Sequence, residues 1–248
     1  MSVSLHDFLE FLVEAKIITI EAVEFPSRTY VKYVRGNVPI HELLLSFHND
    51  SYFSHQTAMH FHKLTKHLPD AIYLNIEQRP KDRDDDAELL QENIDKAFKL
   101  RPRITKNIAD YKNQRIFLLN GMNTNKLGVE EVDFGRTKNL RSTNLERTLI
   151  DIAVRPAYSG GVFEVLEAYK LARKTVSAKT LVSFLQELDY IYPYHQAIGF
   201  YMQRAGYDDS SLKLMREFKP IEYNFYLTHE MKQTDYSEEW RLYFPKRL

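Results

Sequence analysis

The chain has 248 residues, and its 34 lysines and arginines balance its 34 aspartates and glutamates. This balance excludes a whole-molecule field that attracts polyanions, so nucleic-acid binding needs a local basic patch. The absence of cysteine excludes disulfides and thiolate chemistry. The sequence contains no apolar run near the ~20 residues that span a bilayer and no export leader, so we expect a cytoplasmic protein without a membrane partner.

Residues 1–48 are predicted to form one helix and a hairpin. Apolar residues recur at helical spacing between residues 4 and 15, at Leu5, Phe8, Leu9 and Leu12. Alternation predicts strands over residues 17–25 and 29–34, which are joined by a turn at Pro26–Ser27. This order is typical of the end of a winged helix, with the hairpin as the wing. Because one helix stands where such heads carry three, we predict a truncated winged-helix-like element. A short helix over residues 39–47 follows it.

The charges of this element divide between its helix and its hairpin. The polar face of the helix carries Asp7, Glu10 and Glu14, which a recognition helix in a phosphate-lined groove would not present. Arg28 and Lys32 are four residues apart on a strand and share one face. They could contact phosphates without reading bases, or they could be two solvated charges on a hairpin.

Residues 49–248 are predicted to form a mixed α/β body with a helical C-terminal half. Strands are predicted over residues 71–76, 115–119 and 127–134, the first of them as a central strand because its residues are mostly apolar. Helices are predicted after Ser54 and over residues 87–98. The charged segment 78–88 is predicted to be a solvated loop. Strands grouped before helices indicate an α+β fold.

The segment from Thr143 to Gly206 is the most strongly patterned part of the chain and predicts a bundle of four helices. Thr143 and Glu146 fit a T-x-x-E capping box, and the first helix ends before Pro156. The second helix is predicted to contain Val162, and the third to be capped by Ser177. Pro193 and Gly206 are predicted to lie at the two ends of the fourth helix. The aromatic tail around Trp240 is predicted to dock onto the body, in the region of this bundle.

Three blocks of sequence carry a resemblance to a known family. The first is T-x-x-E-R-T-L-I-D from Thr143, followed by R-P-x-Y-S-G-G-V-x-E-V-L from Arg155. The second, residues 51–65, resembles the segment Y-x-S-H-x-x-A-L-x-x-x-x-L-T. The third, residues 193–206, resembles R-x-x-G-x-x-L-x-x-x-G, although Ala197 and Ile198 precede Gly199 and the arginine is absent. Together these blocks resemble the AbiEi antitoxin family.

This resemblance implies a function without catalysis. AbiEi-like proteins are bacterial transcriptional regulators of abortive-infection, type IV toxin–antitoxin pairs, which act in phage defence. The resemblance implies DNA as one partner, through binding of the protein's own operator. It implies as a second, functional partner a nucleotidyltransferase toxin encoded nearby, which is countered without a stable complex.

Basic residues are concentrated in two segments, residues 99–115 and 136–141. They are Lys99, Arg101, Arg103, Lys106, Lys112 and Arg115 in the first, and Arg136, Lys138 and Arg141 in the second. If the two segments face one another, they form an electropositive surface of phosphate size. Alternatively, the nearby acidic residues 82–92 neutralise them. With Arg28 and Lys32, these nine are the candidate nucleic-acid-binding residues.

Two patterns invite a metal-binding interpretation, and neither has the required chemistry. The spacing of His55, His60, His62 and His67 is five, two and five, whereas helical metal ligands lie three or four residues apart. Asp70 and Glu77-x-Arg79 resemble a P-D…E-x-K nuclease motif, but an arginine is a poor proton-transfer group. We therefore expect no catalytic residue, metal ligand or cofactor. Two alternatives stay open: a protein–protein interaction module without DNA binding, and a metal-dependent nuclease.

Arg147 and Asp151 are one helical turn apart in the first block of the resemblance. This spacing predicts an ion pair on a helix surface. An exposed pair of this kind contributes only ~0.3–0.5 kcal/mol to stability.

Overall fold

A mixed six-stranded sheet and a layer of helices are the two main parts of the chain. The computed structural model describes residues 4–80 and 89–248. The N-terminal elements are α1 (Leu5–Glu14), β1 (Thr19–Phe25), β2 (Arg28–Val34), α2 (Ile40–Leu45), β3 (Tyr52–Phe53), α3 (His55–Phe61), β4 (Ala71–Glu77) and α4 (Gln91–Lys99). Residues 81–88 of the predicted loop lie outside the described residues.

The rest of the sheet and the helical layer follow in sequence. The strands are β5 (Ile108–Tyr111), β6 (Gln114–Gly121), β7 (Val129–Phe134) and β8 (Thr137–Thr143). The helices are α5 (Leu145–Val154), α6 (Val162–Ala172), α7 (Ala178–Leu188), α8 (Tyr194–Arg204) and α9 (Asp209–Phe218), with a 3-10 turn at Pro156–Tyr158. Three short strands end the chain: β9 (Phe225–Tyr226), β10 (Thr234–Ser237) and β11 (Leu242–Pro245). The predicted α+β class is confirmed.

The order of strands in the large sheet is β5-β6-β4-β3-β8-β7. β4 runs parallel to β6 and antiparallel to β3, while β3 runs parallel to β8. The outer strands are added by two hairpins, β5–β6 and β7–β8. Because β4 lies inside the sheet, its apolar run is buried on both faces, as the sequence predicted.

The β1–β2 hairpin packs on this sheet without joining its ladder. Val23 and Phe25 belong to the same buried cluster as Ile72 and Leu74 of β4. The ring of Tyr30 stacks on Phe47 with centroids 4.6 Å apart. The hairpin is therefore held by side-chain packing near β5.

The helices and the C-terminal tail share a second, larger core. Trp240 is fully buried against α8, where a Cβ at Gly199 would lie 2.2 Å from its ring. Its indole Nε1–H donates to Gln203 Oε1 at 2.9 Å. The predicted docking of the tail onto the bundle is confirmed, and a glycine is needed at position 199 because the indole occupies the space of a side chain.

One predicted helix start is wrong. Asn144, not Thr143, caps α5 by accepting from the Arg147 amide at 3.0 Å. Thr143 is the last residue of β8 and pairs with Val129, so the sheet holds its backbone. Glu146 instead accepts from the Ser177 amide at 2.8 Å. The predicted Ser177 cap is confirmed by its bond from Thr180.

None of the helices in the described ranges is both long and apolar enough to cross a bilayer.

Candidate nucleic-acid interface

The structure divides the eleven candidate cations into three groups. The first lies where the β1–β2 hairpin meets the β5–β6 hairpin, and we call it the hairpin edge. It consists of Arg28, Lys32, Lys106, Lys112 and Arg115. The second group lies around the β7–β8 hairpin, and the third follows α4.

Two contacts join the hairpins and bring the first group together. Glu21 of β1 accepts from the Tyr111 hydroxyl and, at 2.8 Å, from Lys112 Nζ. Ser27, in the β1–β2 turn, donates to Asn107 Oδ1 at 3.0 Å, which brings their sequence neighbours Arg28 and Lys106 into the same region. These contacts place cations from distant parts of the sequence on one edge of the protein.

Tight turns and rings fix the direction of these side chains. Lys112 and Asn113 form the two-residue turn between β5 and β6, and both have positive φ, 46° and 64°. That conformation matches a type I′ hairpin, whose backbone twist suits the strands. The Arg28 guanidinium lies 4.9 Å from the centroid of the Tyr30 ring. Such a cation–ring contact orders the side chain while its outer face stays exposed.

Carboxylates neutralise part of the hairpin edge. The hydrogen bond from Lys112 is the main cause that lowers the pKa of Glu21, and Glu21 also faces Lys32 across the β1–β2 ladder. Arg115 lies 3.7 Å from Asp110 and lines a cleft that also contains Asp70. Five cations therefore meet three carboxylates among the described residues. The excess of about two positive charges is suited to a small number of phosphates.

The second group lies at the other end of the sheet. Arg115 pairs with Ala71 at the start of β4. Phe53 of β3 pairs with Leu74 on one side and with Ser142 of β8 on the other. Arg136 precedes Ser142 of β8, which runs antiparallel to β4, and therefore lies level with a position beyond the end of β4. A rise of about 3.3 Å per residue over this offset gives a separation of roughly 30 Å. β5 and β7 also form opposite edges of the sheet, so the cations around β5 and those around β7 do not face one another as one surface.

Two members of the second group have structural partners. Lys138 Nζ lies 2.7 Å from Asp133 Oδ2. The guanidinium of Arg141 donates to three backbone carbonyls, those of Leu45, His48 and Ser51. Arg141 thereby holds the segment between α2 and β3 against β8, and its guanidinium is engaged by these backbone carbonyls.

The third group, Lys99, Arg101 and Arg103, lies between α4 and the start of β5. Arg101 Nε is 3.4 Å from Glu230 in the C-terminal part of the chain. Lys99 and Arg103 are exposed and have no ion-pair partner within residues 4–80 and 89–248. These two can extend a polyanion contact, but among the described residues no hydrogen bond or ion pair joins them to the hairpin edge.

The four histidines considered as metal ligands bind different parts of the protein. His55 Nδ1 contacts Ser54 Oγ at 2.8 Å, and His62 Nε2 contacts the carbonyl of Thr143 at 2.7 Å. His60 packs against the ring of Phe134, and His67 faces Glu164. The described residues include no cluster of three histidine or acidic side chains around a possible metal position.

The two acids of the nuclease-like pattern lie at opposite ends of β4. Asp70 precedes the strand and Glu77 ends it, so about 3.3 Å per residue separates them by roughly 23 Å. Glu77 accepts from the Tyr52 hydroxyl and the Thr124 amide, both at 3.0 Å. These two carboxylates cannot converge on one cation.

The Arg147–Asp151 pair is buried, which corrects the predicted surface pair. Its side chains are 6% and 9% exposed, and Arg147 Nε donates to Asp151 Oδ1 at 2.8 Å. Arg147 Nη1 also donates to the Leu127 carbonyl at 2.8 Å and to Thr124 Oγ1. Through Thr124 this network reaches Glu77, so it joins the bundle to the sheet.

The comparisons with known proteins inform the fold alone. No protein-family model matches the chain, and no curated protein matches it either. The crystal structure of the RV2827C protein from Mycobacterium tuberculosis is similar, with a TM-score of 0.61 at 12% sequence identity. The match covers 98% of this chain and 80% of that chain. At this identity it shows a common arrangement of elements.

Proposed function

We propose that the chain is an AbiEi-like antitoxin and transcriptional regulator that binds duplex DNA through the hairpin edge. The observation that carries this proposal is the meeting of the two hairpins, which brings five candidate cations together. Binding to duplex DNA depends first on such local positive charge, because phosphate contacts release condensed counterions.

The hairpin edge is suited to hold the backbone of DNA. Its cations extend from strands and turns, and the acidic polar face of α1 is unsuited to enter a groove. Phosphate contacts fix position but carry no sequence information directly. Any preference among sequences would then come from the shape and deformability of the duplex.

Duplex binding measured over a range of salt concentrations tests this proposal. If the hairpin edge neutralises about two phosphates, log K falls with log salt with a slope of roughly −2. The double variant Arg28→Ala/Lys106→Ala should lower the steepness of that slope by about 2 and weaken binding. The matched control is Arg136→Ala/Lys138→Ala, which removes the same charge from the other end of the sheet and should leave the slope unchanged. Equal effects of the two variants, or binding indifferent to salt, would refute this interface.

The antitoxin part of the proposal rests on the resemblance of the three sequence blocks. It is tested by producing the chain together with a nucleotidyltransferase-like protein encoded beside it. We expect growth to be rescued without co-elution of the two proteins. The Arg28→Ala/Lys106→Ala variant should lose repression of a reporter and keep the rescue. Absence of rescue by the wild-type chain would contradict the antitoxin role and leave DNA binding as a separate question.

A second candidate function, a protein–protein interaction module, is favoured by a different observation. Large apolar side chains are concentrated on the exterior of α1 and the β1–β2 hairpin. Exposed apolar side chains concentrated in one region of the chain are typical of interaction sites.

A further inference from the structure

Seven large apolar side chains in the first 33 residues are between 46% and 74% exposed. We call this set the N-terminal apolar face. It consists of Leu5, Phe8, Phe11, Ile17, Ile20, Val31 and Tyr33. An isolated exposed leucine is ordinary, but seven such residues on two consecutive elements need an explanation.

The helix α1 exposes Leu5, Phe8 and Phe11 of its apolar residues, while Leu9 and Leu12 are partly buried. Its N-terminus is well formed, because Ser4 and Asp7 make a reciprocal capping box. None of its ten residues is buried against the described part of the chain. A helix of this length is marginal in water by itself, and most helices are stabilised by packing one apolar face.

The β1–β2 hairpin is apolar on both faces. Val23 and Phe25 point inward and are buried in the sheet core. On the other face, Ile20 pairs with Tyr33 and Ala22 pairs with Val31, and all four are exposed. A hairpin with one solvent-exposed face normally alternates apolar and polar residues, whereas strands that are buried on both faces have apolar residues throughout. Within the described ranges β2 pairs only with β1, so its other edge is open.

We propose that a second copy of this chain covers the N-terminal apolar face and that the protein is a dimer. The seven side chains represent roughly 600–700 Å² of apolar surface, close to the ~800 Å² that each partner buries in a standard interface. The zero net charge of the chain removes the general repulsion between copies.

The charges beside this face are self-complementary. Asp7, Glu10 and Glu14 lie on α1, while Lys16 lies between α1 and β1 and Arg35 follows β2, and both basic residues are exposed. In a two-fold contact, a patch away from the axis meets a different patch of the other copy, and the same contact is made twice. The acidic helix of each copy can thus meet the basic hairpin end of its partner. An unrelated partner would need to match both patches separately.

The dimer leaves the hairpin edge accessible. Arg28 and Lys32 share the inner face of the hairpin with Val23 and Phe25, away from Val31 and Tyr33. Two copies related by a two-fold axis would present two hairpin edges, as dimeric DNA-binding proteins do for paired half-sites. Only this last consequence rests on the proposed function, since the dimer itself does not require DNA.

Sedimentation or light scattering of the full chain over a range of concentrations tests the dimer. We expect the wild type to be a dimer at about 10 µM. Phe8→Glu in α1 and Val31→Lys in β2 should each raise the dissociation constant at least ~100-fold, because each would bury an unpaired charge. The matched control is Leu68→Glu, at an apolar side chain 85% exposed on another part of the surface, which should remain dimeric. Circular dichroism and the melting temperature show whether each variant is folded.

Three outcomes would overturn the proposal. The first is a wild type that stays monomeric at about 100 µM. The second is a dimer that persists in both Phe8→Glu and Val31→Lys. The third is a monomer that uses this face for another protein. A monomer that still binds DNA with a salt-dependent affinity would refute the dimer and support the proposed DNA-binding function. A dimer that does not bind DNA would support the dimer and refute the proposed DNA-binding function.

Discussion

The N-terminal helix–hairpin and the C-terminal helical layer treat their apolar residues in opposite ways. Helix α8 has eleven residues, and eight of them are buried. Helix α1 has ten residues, none of which is fully buried against the described part of the chain, and Leu5, Phe8 and Phe11 are exposed. The helical layer completes its core within one chain, whereas α1 and β2 keep large apolar side chains exposed.

Charges show the same contrast. In the helical layer an Arg–Asp pair is buried with its hydrogen-bonding groups matched, and it joins two parts of the fold. At the hairpin edge the pair of Arg115 and Asp110 is mostly exposed and 3.7 Å apart. The same two residue types are structural in one place and available to a ligand in the other, because burial decides which role they take.

Removal of the tail indole should give the largest effect. We expect Trp240→Ala to lower the free energy of unfolding by about 3–5 kcal/mol, because the indole fills the space against Gly199 and a cavity would replace it. Chemical denaturation measures this change. Phe163→Ala, at an aromatic residue that is half-exposed on α6, is the control and should cost much less. Similar losses for both would contradict the role of the tail in the core.

Breaking the buried ion pair should be the next largest effect. Asp151→Ala leaves the Arg147 guanidinium buried without its counter-ion, and we expect a loss of about 3 kcal/mol. Asp110→Ala removes the acid of an exposed pair and should change stability by less than about 0.5 kcal/mol. Urea unfolding of the two variants compares them directly. A small effect of Asp151→Ala would show that Thr124 and the Leu127 carbonyl suffice for Arg147.

The imidazole of His41 should make stability depend on pH. Burial against Phe53, Phe61 and Phe134, together with the positive field of His60, lowers the pKa of His41 to about 4. Between pH 6.5 and 4 the unfolded chain binds this proton and the folded chain does not, so stability is lost as pH falls. We expect this residue to contribute about 2 kcal/mol to that loss.

The pH dependence of unfolding in His41→Leu checks this value. The variant should lose part of the slope between pH 6.5 and 4, whatever its stability at neutral pH. His6→Gln, in the exposed helix α1, should leave the slope as it is in the wild type. A slope unchanged by His41→Leu would show that other groups carry the pH dependence.

The smallest effect is expected on the N-terminal side. Phe8→Ala in dilute solution should change the free energy of unfolding by less than about 0.5 kcal/mol, because no core loses a contact. In concentrated solution the same variant should melt below the wild type, since association stabilises the folded state by mass action. Calorimetry at two concentrations makes the comparison. A large loss in dilute solution would mean that Phe8 packs within its own chain.

The elements with strong local patterns could be predicted from sequence. The helical spacing of Leu5 to Leu12, the alternation around Pro26–Ser27 and the Ser177 cap all gave elements that the structure contains. The apolar run of β4 and the aromatic tail also indicated burial correctly. These features are determined within a few residues, where backbone geometry and side-chain burial follow directly from residue type.

Short strands with weak patterns were missed. β5 is four residues long among cations, and β8 follows a turn and alternates poorly. The Lys112–Asn113 turn was an available signal for β5, because asparagine tolerates the positive φ of a type I′ hairpin. Missing β8 also led to the wrong cap, since the strand continues to Thr143 and the helix is capped one residue later, by Asn144.

By itself, then, the sequence determined the α+β class, most helices and the first hairpin, and it supplied the basic residues whose placement the fold then decided. Only the tertiary structure decided which cations meet, that Arg141 and Arg147 are used inside the protein, and that the N-terminal apolar residues are left uncovered. The physical reason is that a helix or a hairpin depends on neighbours in sequence. The position of a charge depends instead on sheet order and register, which bring residues such as Arg28 and Lys106 together across long stretches of chain.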